Sequence, residues 1–176
     1  MFPVLPHKKG SIRLAGLVDD SIVDGPGIRF TVFTQGCAHG CPGCHNPDTH
    51  AFEGGYDADI DAIVAKAFAN PLLSGITLSG GDPLYQTEAC LELAQKIRGH
   101  GLDILVYTGF VWEDLLKKSQ TDEVLRAFLK SSDYLIDGPY IKAQRDLTLH
   151  FRGSANQRMI NVQKSLNSQH VVLMDW

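Results

Sequence analysis

Gly75-Ile76-Thr77-Leu78-Ser79-Gly80-Gly81-Asp82-Pro83 and, after an intervening helix, Asp103-Ile104-Leu105-Val106-Tyr107-Thr108-Gly109 decide the fold. Each holds a short apolar run that stops at glycine. Between them Cys90, Leu93, Ala94 and Ile97 recur at helical spacing. Strand, amphipathic helix, strand is the pattern of a right-handed βαβ unit, and near-continuous apolar strands fit a parallel sheet covered on both faces. The pattern extends outward. Upstream, Phe30-Thr31-Val32-Phe33 is a strand that runs into Gly36, and Ile60, Ile63, Val64 and Ala67 mark a helix closed by Pro71. Downstream, a helical stretch begins at Trp112, breaks near Ser119 and resumes from Thr121 to Lys130. Tyr134-Leu135-Ile136 is a fourth strand, and Met159 to Val162 and His170 to Met174 are fainter strand patterns. The fold class is α/β with a mostly parallel sheet.

In such folds chemistry gathers at the carboxyl ends of the strands. The unusual residues lie there. A cysteine loop follows the first of these strands, Gly80-Gly81-Asp82-Pro83 the second, Thr108-Gly109 the third and Asp137-Gly138-Pro139 the fourth. One shared site is expected.

The chain has 176 residues, 44% of them hydrophobic and 20% charged, with a formal net charge of −4. This length fits one domain over residues 1–176, with 1–20 an N-terminal extension of no assigned role. The negative balance argues against a nucleic-acid partner. No apolar run approaches the roughly 18 residues that span a bilayer. Met1 to Ile12 carries Pro3, Pro6 and His7-Lys8-Lys9 but no apolar signal core. A cytoplasmic location, away from membranes, follows as the expectation.

The cysteine loop reads Gly36-Cys37-Ala38-His39-Gly40-Cys41-Pro42-Gly43-Cys44-His45-Asn46. Three of the four cysteines lie within eight residues, a distribution that fits metal binding better than a disulfide framework. Its glycines let the backbone turn sharply. A structural zinc site normally closes four ligands, and an ordinary ferredoxin cluster uses four cysteines. No second cysteine pair exists here. Three thiolates on a four-iron cube leave one iron open to a small molecule, which is the mark of a catalytic site. The competing reading is zinc completed by His39 or His45. Cys90 is a further candidate ligand, but it falls on the apolar stripe of a helix, where free cysteine behaves as a small hydrophobe.

The spacing Cys37-x3-Cys41-x2-Cys44 resembles the signature of the radical S-adenosylmethionine superfamily. Asp24-Gly25-Pro26-Gly27-Ile28-Arg29-Phe30 before it and His45-Asn46 after it are similar to the activating enzymes of glycyl-radical enzymes. Further stretches narrow the resemblance: Ser79-Gly80-Gly81-Asp82-Pro83-Leu84, Tyr107-Thr108-Gly109-Phe110, Val111-Trp112-Glu113, Asp137-Gly138 and Arg152-Gly153-Ser154-Ala155-Asn156-Gln157-Arg158. In that order they look like the activating proteins of anaerobic, class III ribonucleoside-triphosphate reductases. The likeness runs from Ile22 to Val162. Many superfamily members place an aromatic residue just before the third cysteine, to pack on the adenine. Gly43 stands there in this chain, as in the subfamily, so the side chain that covers the adenine is left open.

The resemblance implies an incomplete (β/α) barrel of the radical S-adenosylmethionine type. It implies a 4Fe-4S cluster on Cys37, Cys41 and Cys44, and S-adenosyl-L-methionine bound at the open iron. Gly43, Cys44, His45, Asn46, Gly80, Gly81, Thr108 and Gly109 become candidate contacts to that ligand. The reduced cluster would cleave it to methionine and a 5′-deoxyadenosyl radical, which takes a hydrogen from a glycine α-carbon. The implied partners are the large subunit of the anaerobic reductase and a flavodoxin-type reductant. Activation of another glycyl-radical enzyme, a small-metabolite radical enzyme, an electron carrier and a structural zinc module are the alternatives. Arg152 and Arg158 are candidates for the ligand's carboxylate or an acidic patch on the partner, or else plain salt bridges. Asp133 and Asp137 are equally ambiguous. Phe110 and Trp112 fit core packing better than partner contacts, and Tyr134 fits core.

Overall fold

A computed structural model describes residues 8–168 and 170–174. Pro3, Pro6 and His7 lie outside the described residues. Seven strands among the described residues form one sheet: β1 (Ser11–Ser21), β2 (Arg29–Thr34), β3 (Tyr56–Asp59), β4 (Gly75–Gly80), β5 (Asp103–Tyr107), β6 (Tyr134–Asp137) and β7 (Arg158–Asn161). Their order is β3-β1-β2-β4-β5-β6-β7, and the sheet is not closed. The four central strands are parallel, with Phe30 beside Ile76, Leu78 beside Val106 and Leu105 beside Tyr134. α1 (Ile60–Phe68) leads into β4, and α2 (Thr87–Arg98) joins β4 to β5. α3 (Trp112–Lys118) and α4 (Glu123–Ser131) join β5 to β6, and α5 (Val162–Leu166) follows β7.

The parallel arrangement expected from the sequence holds at the centre of the sheet. The flanks depart from it. β1 pairs antiparallel with β2 and β3, and β7 pairs antiparallel with β6, because these connections are loops without a crossover helix. The N-terminal stretch set aside as an extension supplies the sheet's longest strand from Ser11 onward. The sequence pattern does not show β1 or β3, since β1 carries Asp19 and Asp20 and β3 reads Tyr-Asp-Ala-Asp. The break near Ser119 is real. α3 ends there, and Asp122 caps α4 by accepting from the Leu125 N–H at 2.9 Å. The His170–Met174 pattern forms only a bridge, Leu173 beside Ile160.

Alternation along the central strands sorts side chains onto two faces. Phe30, Val32, Ile76, Leu78, Ile104 and Val106 pack under the helices, with Ile63, Leu93, Ile97 and Phe128 opposite. Cys90 and Trp112 belong to this core, as the spacing predicts. The other face holds a smaller apolar cluster, Leu105, Ile136 and Met159, with Tyr134 packed partly buried against it. Beside that cluster the face is polar. Arg29 is fully buried there. Its Nε donates to Thr77 Oγ1 at 3.1 Å, one terminal nitrogen to the Ile76 carbonyl at 2.6 Å and the other to Asp103 Oδ1 at 2.5 Å. Thr77 Oγ1 donates in turn to the Asp24 carbonyl at 2.8 Å, and Thr31 Oγ1 to the Asp24 carboxylate at 3.2 Å. The Asp24-Gly25-Pro26-Gly27 loop is thereby laid across this face. Gly25, at φ +142°, allows it, because a Cβ there would come within 2.6 Å of Leu105 Cδ2. The segment meets β2, β4 and β5 at Arg29, Ile76, Thr77 and Asp103, toward their amino ends, and the carboxyl ends are left open, with Phe33, Ser79, Gly80 and Tyr107 lining a cavity. Among the described residues no helix is long and apolar enough to cross a membrane.

Candidate functional site

At those open carboxyl ends lies a cavity of about 760 Å³, within the usual range for a small-molecule pocket. Cys37, Cys41, Cys44, His45, Asn46, Gly80, Gly81, Thr108 and Gly109 all line it. Of the candidate contacts to the small-molecule ligand, Gly43 alone does not. It sits behind the loop, against Tyr140 and Lys142.

The cysteine loop is shaped by its backbone. Cys44 N–H donates to the Cys41 carbonyl at 3.1 Å, closing a turn, and Gly36, Gly40 and Gly43 take positive φ. Asn46 N–H points at Cys44 Sγ from 3.4 Å. The loop is sewn to its neighbours by Cys37 N–H to the His50 carbonyl at 3.0 Å and Asp82 N–H to the Gly36 carbonyl at 3.0 Å. Gly80 and Gly81 follow from this close approach. A Cβ on Gly80 would come within 2.5 Å of Thr34 N, and one on Gly81 within 2.8 Å of the Gly36 carbonyl carbon. The sequence marks both as candidate ligand contacts; in the structure a side chain at either would first collide with backbone.

All three loop thiols are free and half-exposed. Burial pushes the Cys37 thiol up to about 11, partly opposed by the N–H of His39 and reinforced by the Asp82 charge. A metal bound through this sulfur at neutral pH would have to displace its proton. Among the described residues no group of three His, Cys, Asp or Glu side chains converges as one metal ion requires. A four-iron cube is held at separate corners, so it does not need its ligands to meet at a point.

Asp82 is the hub that sequence reading misses. It is 1% exposed. Its Oδ2 lies 2.8 Å from His39 Nε2 and accepts from Thr108 Oγ1 and from Gly109 N–H, both at 2.9 Å. Its Oδ1 accepts from Leu84 N–H at 2.9 Å. One carboxylate thus ties the cysteine loop to the ends of β4 and β5. The His39 ring is clasped edge-on by Phe110, 4.4 Å between centroids. With Nε2 on Asp82, His39 is a support of the loop. Thr108 and Gly109 line the cavity, but these donors turn to Asp82. Asp82→Ala leaves buried donors unpaired at about 1–3 kcal/mol each. The variant is expected to melt several degrees below the wild type in thermal denaturation.

The two arginines separate. Arg158 pairs with Glu113 at 2.8 Å and with the buried Asp137 at 2.5 Å, so it is structural. Asp137 also accepts from Trp112 N–H at 2.8 Å, placing a negative charge at the start of α3. Arg152 lines the cavity, and its Nε is buried with no protein partner. The motif around it builds the cavity wall: Gln157 Oε1 accepts from Gly153 N–H at 3.0 Å while its Nε2 donates to the Gly138 carbonyl at 3.1 Å. Cys90 is fully buried, its Sγ donating to the Pro83 carbonyl at 3.4 Å.

Residues 23–160 match the family model described as a 4Fe-4S single cluster domain. The chain is 37% identical over 146 residues to the anaerobic ribonucleoside-triphosphate reductase-activating protein of Haemophilus influenzae, covering 77% of this chain and 89% of that one. The protein of the same name from Escherichia coli K12 is 37% identical over 145 residues, covering 77% and 90%. The one from Enterobacteria phage T4 is 35% identical over 143 residues, covering 78% and 86%. The matched span holds the cysteine loop, the Asp82 hub and the Arg152 wall, and by it the chain belongs to the 4Fe-4S family of anaerobic ribonucleoside-triphosphate reductase-activating proteins.

Proposed function

We propose that this chain is the activating enzyme of an anaerobic ribonucleoside-triphosphate reductase, forming a glycyl radical on the reductase's large subunit at the expense of S-adenosylmethionine. The observation that carries the reading is that Cys37, Cys41 and Cys44 share one cavity while Cys90 is buried elsewhere, on α2. Three thiolates on a 4Fe-4S cluster keep one iron for the ligand. When bound, the cluster and S-adenosylmethionine supply one-electron chemistry that ends in removal of a hydrogen atom from a glycine Cα.

The chain's own residues hold and shield. Cys37, Cys41 and Cys44 anchor the cluster, and the Asp82 hub fixes their loop. Gly80 and Gly81 keep the end of β4 bare for the methionine end of the ligand. His45 and Asn46 line the same space, and the unpaired Arg152 Nε is suited to a carboxylate. The walls exclude water from a reactive species. The open, mostly parallel sheet supports the reading of an incomplete (β/α) barrel, whose gap would admit a polypeptide. A flavodoxin-type reductant and a cytoplasmic setting complete the reading.

Anaerobic reconstitution with iron and sulfide, then addition of reductant and S-adenosylmethionine, tests it. Release of 5′-deoxyadenosine is expected, and with the reductase subunit a doublet in electron-spin resonance. A colourless protein with one tightly bound zinc overturns the proposal.

A further inference from the structure

One wall of the cavity comes from the loop between β6 and β7, and from it Tyr140 leans on the cysteine loop. Its ring centroid is 5.1 Å from that of His45, at an interplanar angle of 47°. Gly153 makes room for it: a Cβ there would come within 3.1 Å of Tyr140 Cδ2, whereas one on Gly43 would stand at an ordinary contact distance of 3.6 Å from Tyr140 Cε1. The ring is therefore seated against a position that carries no side chain, beside the loop that bears the three thiols. It lines the cavity and remains partly exposed.

Three other rings that line the cavity are engaged with protein groups. Tyr107 donates its hydroxyl to the Phe151 carbonyl at 2.7 Å, and both rings pack on the Leu105 cluster. His39 is held by Asp82 and Phe110. A ligand tied by one end to an iron at the cysteine loop, and carrying a purine at the other, needs a flat apolar surface within about one nucleoside of that loop. Purines bind aromatic faces by stacking, whatever their hydrogen-bonding edge.

We propose that Tyr140 is the stacking platform for the adenine of S-adenosylmethionine, with Gly153 as the vacant position that seats it. This rests on the reading that S-adenosylmethionine is the ligand. The role belongs to the ring, and the hydroxyl is dispensable.

The test is equilibrium dialysis of labelled S-adenosylmethionine, and separately of labelled methionine, against cluster-loaded wild type, Tyr140→Phe, Tyr140→Ala and Tyr140→Leu. Iron content and visible absorption are matched first. Tyr140→Phe is expected to bind S-adenosylmethionine within about twofold of wild type. Tyr140→Ala and Tyr140→Leu should weaken it by about tenfold or more. Leucine keeps apolar bulk at the site, so it serves if alanine loosens the loop. Binding of methionine, which has no purine, should be equal in all four. Unchanged S-adenosylmethionine affinity in the leucine variant, or an equal loss for methionine, overturns the proposal. A wild type that binds no S-adenosylmethionine overturns the functional reading itself, a different outcome from an insensitive Tyr140.

Discussion

Cys37→Ala, Cys41→Ala and Cys44→Ala are each expected to abolish 5′-deoxyadenosine release, a loss of about 10³-fold or more, equivalent to about 4 kcal/mol of barrier. On the proposed ligation each would remove one corner of the cluster's attachment, and no other cysteine lies in the cavity to replace it. The polypeptide should survive the change. The loop is held by backbone bonds that do not use sulfur, from Cys44 N–H to the Cys41 carbonyl and from Cys37 N–H to the His50 carbonyl. Metal-free variants should therefore melt within a few degrees of metal-free wild type, while their iron content after anaerobic reconstitution falls. Cys90→Ala provides the contrast. Its thiol is fully buried on α2, so the change should lower stability by about 1 kcal/mol and leave cleavage largely intact. Lost cleavage in Cys90→Ala would show that the ligand count is wrong.

The second large effect is on stability. Arg29→Met should destabilise the fold by about 3–5 kcal/mol, a large share of the 5–15 kcal/mol typical of a domain. The guanidinium is fully buried and serves Thr77, the Ile76 carbonyl and Asp103 together. Methionine fills much of the volume but leaves those acceptors without donors. Urea titration measures the loss. Its pH dependence carries a signature. Burial raises the Asp103 carboxyl above its ordinary value, and Arg29 pulls it back. Without Arg29 the rise is unopposed, so folding favours the protonated acid. The penalty is then full above the raised value and eases as pH falls through it towards the ordinary carboxylate range. Arg29→Met with Asp103→Leu should recover part of the loss, since a matched apolar pair replaces a broken ionic one.

The sequence was legible where one physical signal dominates. β2, β4, β5 and β6 show as apolar runs because both of their faces are largely covered. β1 and β3 are edge-side antiparallel strands with few buried positions, and they exist by pairing rather than by pattern. The three thiols fall together because they lie within eight residues of one loop, and that loop could be placed beside Gly80 and Thr108 because strand ends gather in this class of fold. Asp82 could not be identified as a hub, since its partners stand 43 and 26 residues away. Nothing in the sequence distinguishes Arg152 from Arg158. Only the folded chain puts one in the cavity and the other between Glu113 and Asp137. Tyr140 lies in a loop without periodicity, and its signal is indirect, in Gly153, which yields to it.

The Asp24–Arg29 segment has a consequence for how the sheet comes apart. The Arg29 guanidinium and the Asp24 carbonyl clasp β2, β4 and β5 to one another through Thr77, Ile76 and Asp103. Those three strands should accordingly open as one cooperative unit rather than peel away singly.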